Sequence, residues 1–216
     1  LESNESDWLS VIDYKSSPHS FNVADAYYGI ALQLITYLDV AVTDFSEAKG
    51  KEIKPAGAYY LHVHNPVLKD SKSIEKDMLK AYQYDGLFAK EPELYDQLDQ
   101  SLQEKESSLL FPIKKDKNGQ TVIVSQSKDK FYDLSEIDIL RQYNREKIQK
   151  AGNQIVSGEI KLNPTYKDNQ RIACQYCPFR SVCKFDAMLK ENNYHRLEKL
   201  SKEEVLKRME EELHDN

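Results

Sequence analysis

The chain has 216 residues, 40% of them hydrophobic, and carries a formal net charge of −6. That content is enough to bury a core, and the 7 Gly and 7 Pro argue against a repetitive or disordered chain. The longest apolar pattern, residues 24–42, is interrupted by polar side chains and falls short of the ~20 apolar residues that span a bilayer. The acidic start does not resemble a signal peptide, so we expect a cytoplasmic protein with no membrane partner.

The charge distribution limits how the chain could bind DNA. A stand-alone protein that grips DNA over a broad surface usually has a basic balance, because Lys and Arg neutralise phosphates. The acidic balance is compatible with a region whose DNA channel is completed by other domains. One stretch is locally basic, and it contains a single acidic residue, Asp168, against Lys161, Lys167, Arg171, Arg180 and Lys184.

The first elements predict an α/β fold. Residues Trp8–Asp13 have the pattern of a buried strand, Val23–Thr43 has helical spacing after a cap at Asn22 or Ser20, and Ala56–His64 follows Pro55 as a second strand. Strand, helix and strand in this order predict a crossover that joins a parallel pair. Since little sequence precedes Trp8, we expect the chain to begin inside a sheet.

The rest of the chain alternates short elements with two long helices. The predicted segments are helices over Ser73–Tyr84 and Glu91–Gln103, a hairpin over Lys114–Ser127 with a primed turn at Asn118-Gly119, a helix over Ser135–Ser157 with a capping box at Ser135 and a stop at Gly158, and a charged helix over Lys202–Leu213. We divide the chain into 1–66, a partial core; 67–134, an insertion; and 135–216, the long helix, the cysteines and the tail.

An acid and a lysine end the first strand. Asp13 and Lys15 are two residues apart, so their side chains point to the same face. Phosphodiester hydrolysis uses such a pair, since a carboxylate can hold Mg²⁺ or Mn²⁺ while an ammonium positions water and offsets phosphate charge. On its own the pair fits a surface ion pair equally well. Gln33 and Tyr37, four residues apart on the following helix, share a face, although alone they fit a solvated glutamine and a core tyrosine.

Every cysteine of the chain lies between Cys174 and Cys183. The spacing of Cys174, Cys177 and Cys183 suits thiolate ligands of zinc or iron, or a redox pair. A closed site needs a fourth ligand, and His195 is expected to be exposed. His62 and His64 share a strand face but have no third ligand at a recognisable spacing, so we assign them to packing.

Taken together, Asp13-Tyr14-Lys15-Ser16 on a strand and Gln33-x-x-x-Tyr37 on the next helix resemble the RecB-like branch of the PD-(D/E)xK nucleases. The resemblance implies a restriction-endonuclease-like core with a helical insertion. It implies that Asp13 and the Tyr14 main-chain carbonyl bind Mg²⁺ or Mn²⁺, that Lys15 is catalytic, and that Gln33 and Tyr37 support the site and its DNA contacts.

The same resemblance implies a [4Fe–4S] cluster that staples the C-terminal region to the core. Cys174, Cys177 and Cys183 would supply three ligands, and the fourth cysteine lies upstream of the nuclease motifs in this family. An upstream Asp, and commonly a His, also belong to the family pattern, and neither precedes Asp13 in a separate strand. We therefore expect an N-terminally truncated domain that is inactive alone, with its cluster absent or damaged.

Several further segments resemble the end of AddB-type subunits of bacterial helicase–nucleases: 11–17 (VIDYKSS), 29–38, 60–66 (YLHVHNP), 84–87 (YDGL) and 173–186. The resemblance implies a nuclease that cuts one single strand emerging from unwound DNA, beside an AddA-type helicase–nuclease partner, during recombinational repair of double-strand breaks. Two other functions stay open, a non-catalytic DNA-binding scaffold of the same complex and a zinc-binding interaction module.

Overall fold

Residues 7–63, 74–190 and 192–215 are described by a computed structural model. The elements follow one another as β1 (Asp7–Lys15), α1 (Val23–Tyr27), α2 (Gln33–Lys49), β2 (Ile53–His62), α3 (Ile74–Ala81), β3 (Asp85–Ala89), α4 (Pro92–Leu98), β4 (Ile113–Lys115), β5 (Thr121–Ile123), β6 (Phe131–Tyr132), α5 (Leu134–Val156), β7 (Thr165–Tyr166), α6 (Arg180–Cys183), β8 (His195–Arg196) and α7 (Lys202–His214). Each described helix is too short or too polar to span a bilayer.

A four-stranded sheet in the order β1-β2-β3-β6 forms the centre of the molecule. β1 and β2 are parallel, β2 and β3 antiparallel, and β3 and β6 parallel. The predicted α/β class and the predicted parallel pair are confirmed. Strands β3 and β6 were not predicted, because each is short and takes its place in the sheet from pairing with a distant segment.

Strand β2 starts earlier than the sequence indicated. Its first residue is Ile53, and Pro55, which we took as a stop, lies inside the strand. The pairing with β1 shifts at this point, from Leu9 opposite Pro55 to Ser10 opposite Gly57. A bulge tolerates proline because the missing N–H is not needed for a regular ladder bond. The strand ends at His62, and His64 lies outside the described residues.

The predicted single helix over 23–43 is wrong, because the chain breaks between α1 and α2. Gly29 has φ +80°, and Ile30 N–H donates to the Asp25 carbonyl over 2.8 Å, which closes the helix with a left-handed glycine. Asn22 caps α1 as predicted, accepting from Ala24 N–H over 2.9 Å. Helix α2 then begins at Gln33 and runs past the predicted end to Lys49.

The predicted hairpin is present as β4 and β5, but its turn is not the predicted primed type. Asn118 does not have positive φ, whereas Gly119 has φ +76°, and a type I′ turn needs positive φ at both central residues. Instead the side chain of Asp116 accepts from Asn118 N–H over 2.8 Å and from Gln120 N–H over 3.0 Å. These two bonds stabilise a longer loop.

The remaining predicted helices are present with shifted bounds. Helix α3 ends before Tyr84, with Ser73 outside the described residues, and α4 ends at Leu98, short of the predicted Gln103. Helix α5 is capped earlier than predicted, since Glu136 accepts from Asp133 N–H over 2.9 Å. Gly158 ends α5 as predicted, and α7 extends one residue beyond Leu213.

Helix α5 fixes α2 against the sheet through charged and polar groups. Asp39 of α2 is 6% exposed and accepts from Arg141 Nε over 2.8 Å and from Arg145 Nη2 over 2.7 Å. Asn144 donates to the Thr36 hydroxyl over 2.9 Å. A buried carboxylate needs such partners, because desolvation of an unpaired charge is costly. These contacts set the position of α2 along β1.

Candidate active site

Asp13 and Lys15 lie on the face of β1 that packs against α2. Their side chains are 13% and 19% exposed, and Lys15 Nζ lies 3.0 Å from Asp13 Oδ2. The alternation of the strand places both on this face, as predicted, whereas Tyr14 points to the opposite face and is 63% exposed. The pair is therefore partly shielded from water at the C-terminal end of β1.

Helix α2 brings Gln33 and Tyr37 to the same place. Lys15 Nζ donates to Gln33 Oε1 over 2.7 Å, and Gln33 Nε2 donates to the Tyr37 hydroxyl over 2.8 Å. The two helix residues share a face because they are four apart. Tyr37 is 45% exposed, and its hydroxyl, which accepts from Gln33, keeps its own hydrogen for a partner on the solvent side.

Tyr60 of β2 was not among the predicted site residues. It lies directly opposite Asp13 in the sheet, and Lys15 Nζ stands 5.4 Å from the centre of its ring. Burial, and then the nearby carboxylates of Asp13 and Asp85, raise the pKa of the Tyr60 hydroxyl, so it stays protonated at neutral pH. Only the register between β1 and β2 reveals this residue, and the sequence does not contain that register.

The donor set around Asp13 fits a hard divalent cation. Asp13 Oδ2 is buried and has no hydrogen-bond partner among the described residues, since the Lys15 ammonium lies close but outside hydrogen-bonding direction. The Lys15 carbonyl accepts from Val63 N–H over 2.9 Å, so in an alternating strand the Tyr14 carbonyl points away from β2. A carboxylate oxygen and a main-chain carbonyl are ligands that Mg²⁺ and Mn²⁺ accept.

The three cysteines lie in a loop-rich segment next to β7 and β8. Cys174 ends a 3₁₀ turn over Ile172–Cys174, Cys183 ends α6, and all three thiols are free. Over the described ranges, no three His, Cys, Asp or Glu side chains are grouped closely enough to hold a metal ion. His195 is exposed, as expected, and lies edge-on to the ring of Tyr28 at 6.1 Å.

Aromatic and guanidinium groups pack beneath the cysteine segment. The ring of Tyr194 lies 5.0 Å from Tyr166 and 4.9 Å from Phe185, and the guanidinium groups of Arg171 and Arg196 stand 5.6 Å and 5.5 Å from it. Such cation–π contacts hold the segment through its own side chains. The sequence analysis noted the basic residues here but not this cluster.

A sequence profile of the PD-(D/E)XK nuclease superfamily matches residues 1–184. The chain belongs to this superfamily. Its sheet and flanking helices have the PD-(D/E)XK nuclease fold, as the resemblance implied. The Asp13-Tyr14-Lys15 segment therefore lies on a strand of a PD-(D/E)XK core, with the Gln33 helix packed beside it.

Three bacterial relatives are named as the B-type component of an ATP-dependent helicase/deoxyribonuclease. The protein of Enterococcus faecalis is 56% identical over 211 residues, that of Latilactobacillus sakei 38% over 223, and that of Listeria monocytogenes 36% over 213. The alignments cover 97%, 97% and 96% of this PD-(D/E)XK chain but 18% of each relative. The chain thus spans less than a fifth of the length of these relatives.

Proposed function

We propose that this chain is the metal-dependent DNA nuclease domain of a helicase–nuclease, and that it hydrolyses phosphodiester bonds in one strand of unwound DNA. The observation that carries the proposal is the continuous chain of contacts Asp13–Lys15–Gln33–Tyr37. A vestigial site would have no reason to keep a lysine ammonium bound between a carboxylate and an amide at the end of a strand.

Asp13 and the Tyr14 carbonyl would hold Mg²⁺ or Mn²⁺. When bound, the ion supplies Lewis-acid polarisation of a phosphate oxygen. The unpartnered Oδ2 of Asp13 supports this role. A carboxylate and a carbonyl are a small ligand set, so the complete site would draw on a further carboxylate from elsewhere in the polypeptide, and the isolated chain would be inactive.

Lys15 would orient the attacking water and offset the charge that develops on the phosphate. Its ammonium is directed by Gln33 Oε1 at 2.7 Å and by Asp13 at 3.0 Å, which limits its rotamers before DNA arrives. Tyr37 presents a hydroxyl hydrogen toward solvent, where it can donate to a phosphate oxygen. Tyr60 stays neutral beside Asp13, so it adds no second negative charge to a site that must accept a polyanion.

We also propose that Cys174, Cys177 and Cys183 bind a [4Fe–4S] cluster in the complete protein, with a fourth cysteine from another part of the polypeptide. The three thiols are free and at least partly accessible. The test is iron and sulfide analysis of the complete protein and of its Cys177→Ser variant. Equal iron and sulfide that disappear in the variant support the cluster, whereas zinc at one per chain would replace it with a zinc site.

The relatives' name connects a helicase and a deoxyribonuclease in one assembly. We propose that this chain acts in the cytoplasm within such an assembly, with an AddA-type helicase–nuclease as partner, and degrades a strand at double-strand breaks ahead of recombinational repair. Single-stranded DNA emerging from the helicase would be its substrate. The acidic net charge of −6 suits a domain that receives DNA from a partner rather than binding duplex unaided.

The decisive experiment is Mg²⁺- or Mn²⁺-dependent cleavage of single-stranded DNA by the complete protein with its partner. Asp13→Ala and Lys15→Ala are compared with Asp44→Ala and Lys117→Ala, which remove the same groups from exposed positions away from the site. We expect loss of this domain's cleavage in the first two variants alone. Cleavage that survives both would leave the non-catalytic scaffold as the function.

A further inference from the structure

A second carboxylate lies on the same sheet face as Asp13. In the register of the sheet, Asp13 is opposite Tyr60, and Tyr60 is opposite Asp85 of β3. Directly paired residues point to one face, so the three side chains form a row across β1, β2 and β3. The Asp85 side chain is 21% exposed.

Asp85 is too far from Asp13 to share a cation with it. Neighbouring strands are about 4.8 Å apart, so two strand spacings amount to about 10 Å, whereas Mg²⁺ binds its oxygen ligands at about 2.1 Å. Both Asp85 oxygens already have partners: Oδ1 accepts from Phe21 N–H over 3.0 Å, and Oδ2 accepts from the Lys130 ammonium. Its role must follow from those two partners.

Phe21 belongs to the segment 16–22, which connects Lys15 directly to α1. The segment contacts the sheet at three points. Besides the bond to Asp85, His19 N–H donates to His62 Nε2 over 2.7 Å, and the ring of Phe21 meets Tyr132 of β6 edge-on at 6.4 Å. The His19 ring lies 5.8 Å from that of Tyr60. The segment is thus held over the sheet face beside the candidate catalytic lysine.

Lys130 ends a 3₁₀ helix over Ser125–Lys130, within the insertion between β2 and α5. Its ion pair with Asp85 joins that insertion to the contact that Asp85 makes with Phe21. A carboxylate that receives a main-chain N–H on one oxygen and an ammonium on the other is fixed in orientation.

We propose that Asp85 is a positioning residue of the nuclease reaction, an inference that rests on the proposed function. Asp85 fixes the segment 16–22 through Phe21 N–H, and that segment holds the end of β1, so that Lys15 stays within reach of Gln33 and Asp13. Lys130 orients Asp85 and thereby gives the insertion an influence on the rate of cleavage. Asp85 touches neither DNA nor metal in this scheme.

The test compares Asp85→Ala, Asp85→Asn and Lys130→Met by hydrogen–deuterium exchange and by DNA cleavage in the complete protein with its partner. Asn retains an oxygen that can accept from Phe21 N–H, whereas Ala removes it. Loss of a hydrogen bond to a charged acceptor predicts exchange about tenfold faster over 16–22 in the Ala variant, with β3 and α2 unchanged. We expect kcat to fall about tenfold with KM for DNA unchanged, and the Asn variant to recover most of both losses.

Unchanged exchange over 16–22 in Asp85→Ala would overturn the proposal, and so would faster exchange spread evenly over β2, β3 and α2, since that pattern denotes a merely structural residue. Lys130→Met, which leaves Asp85 to bond with Phe21, should show a smaller effect confined to the same segment. If wild-type protein does not cleave DNA, the proposed function fails, while the exchange data still decide whether Asp85 anchors the segment.

Discussion

Replacing Gln33 with alanine removes the group that joins the lysine to the tyrosine in the candidate site. The bond from Lys15 Nζ to Gln33 Oε1 is 2.7 Å long and charge-assisted, a type that contributes about 1.5–3 kcal/mol. Gln33 is exposed, so water replaces part of the lost bond, and Lys15 keeps Asp13 at 3.0 Å. We therefore expect a cost of about 1–2 kcal/mol in transition-state stabilisation, or about 5- to 30-fold in kcat/KM.

Metal-dependent cleavage of single-stranded DNA by the complete protein with its partner measures this effect. Gln149→Ala is the matched control, because Gln149 is an exposed glutamine on α5. Tyr37→Phe should cost less, about fivefold, since it removes a bond between neutral groups. The double variant should lose less than the product of the two single losses, because both act on one chain of contacts. A Gln33→Ala enzyme within twofold of Gln149→Ala would refute the reasoning.

Three further predictions concern stability and are measured by urea or thermal unfolding of the 216-residue chain. Asp39→Ala should lower the free energy of unfolding by about 3 kcal/mol, because it leaves Arg141 partly buried without its carboxylate. Equal stability of the variant would show that α5 does not fix α2 through this pair. Gly86→Ala should cost about 3 kcal/mol or more, since the added Cβ would meet the Ala58 carbonyl at 2.1 Å. A soluble variant with wild-type stability would contradict the β2–β3 packing. Although burial raises it, hydrogen bonds from Tyr27 and Tyr143 hold the pKa of Glu212 below its ordinary value. Glu212→Gln should therefore destabilise the chain at pH 7, with the difference present above about pH 4.3 and lost as the pH falls through the folded-state pKa; a difference independent of pH would contradict it.

Local periodicity was sufficient to predict the centre of the site. The alternation of β1 places Asp13 and Lys15 on one face, and the helical spacing of Gln33 and Tyr37 does the same on α2. Strand, helix and strand in sequence predicted the parallel pair, which brings the two motifs together. Each of these features depends on residues close in sequence, so composition and spacing carry the information.

The parts that sequence reasoning missed depend on distant contacts. The break after α1 needs only one glycine, yet the apolar spacing continues through it and suggested an unbroken helix. Pro55 sits in a strand because β1 provides a bulged partner. Tyr60 and Asp85 join the row containing Asp13 through register, and register follows from how the whole sheet pairs. The roles of the cysteines stay a prediction.

The break at Gly29 has a consequence for synthesis on the ribosome. It turns α1 away from α2 and toward α7, where the Tyr27 hydroxyl donates to Glu212 over 2.6 Å across 185 residues of sequence. At typical elongation rates, roughly 10–40 s separate the emergence of these two residues. Strand β1, α2 and β2 can pair within the first third of the chain, while α1 has to wait for the C-terminal helix. The nascent domain therefore acquires its candidate catalytic residues early and the clamp on the neighbouring helix last.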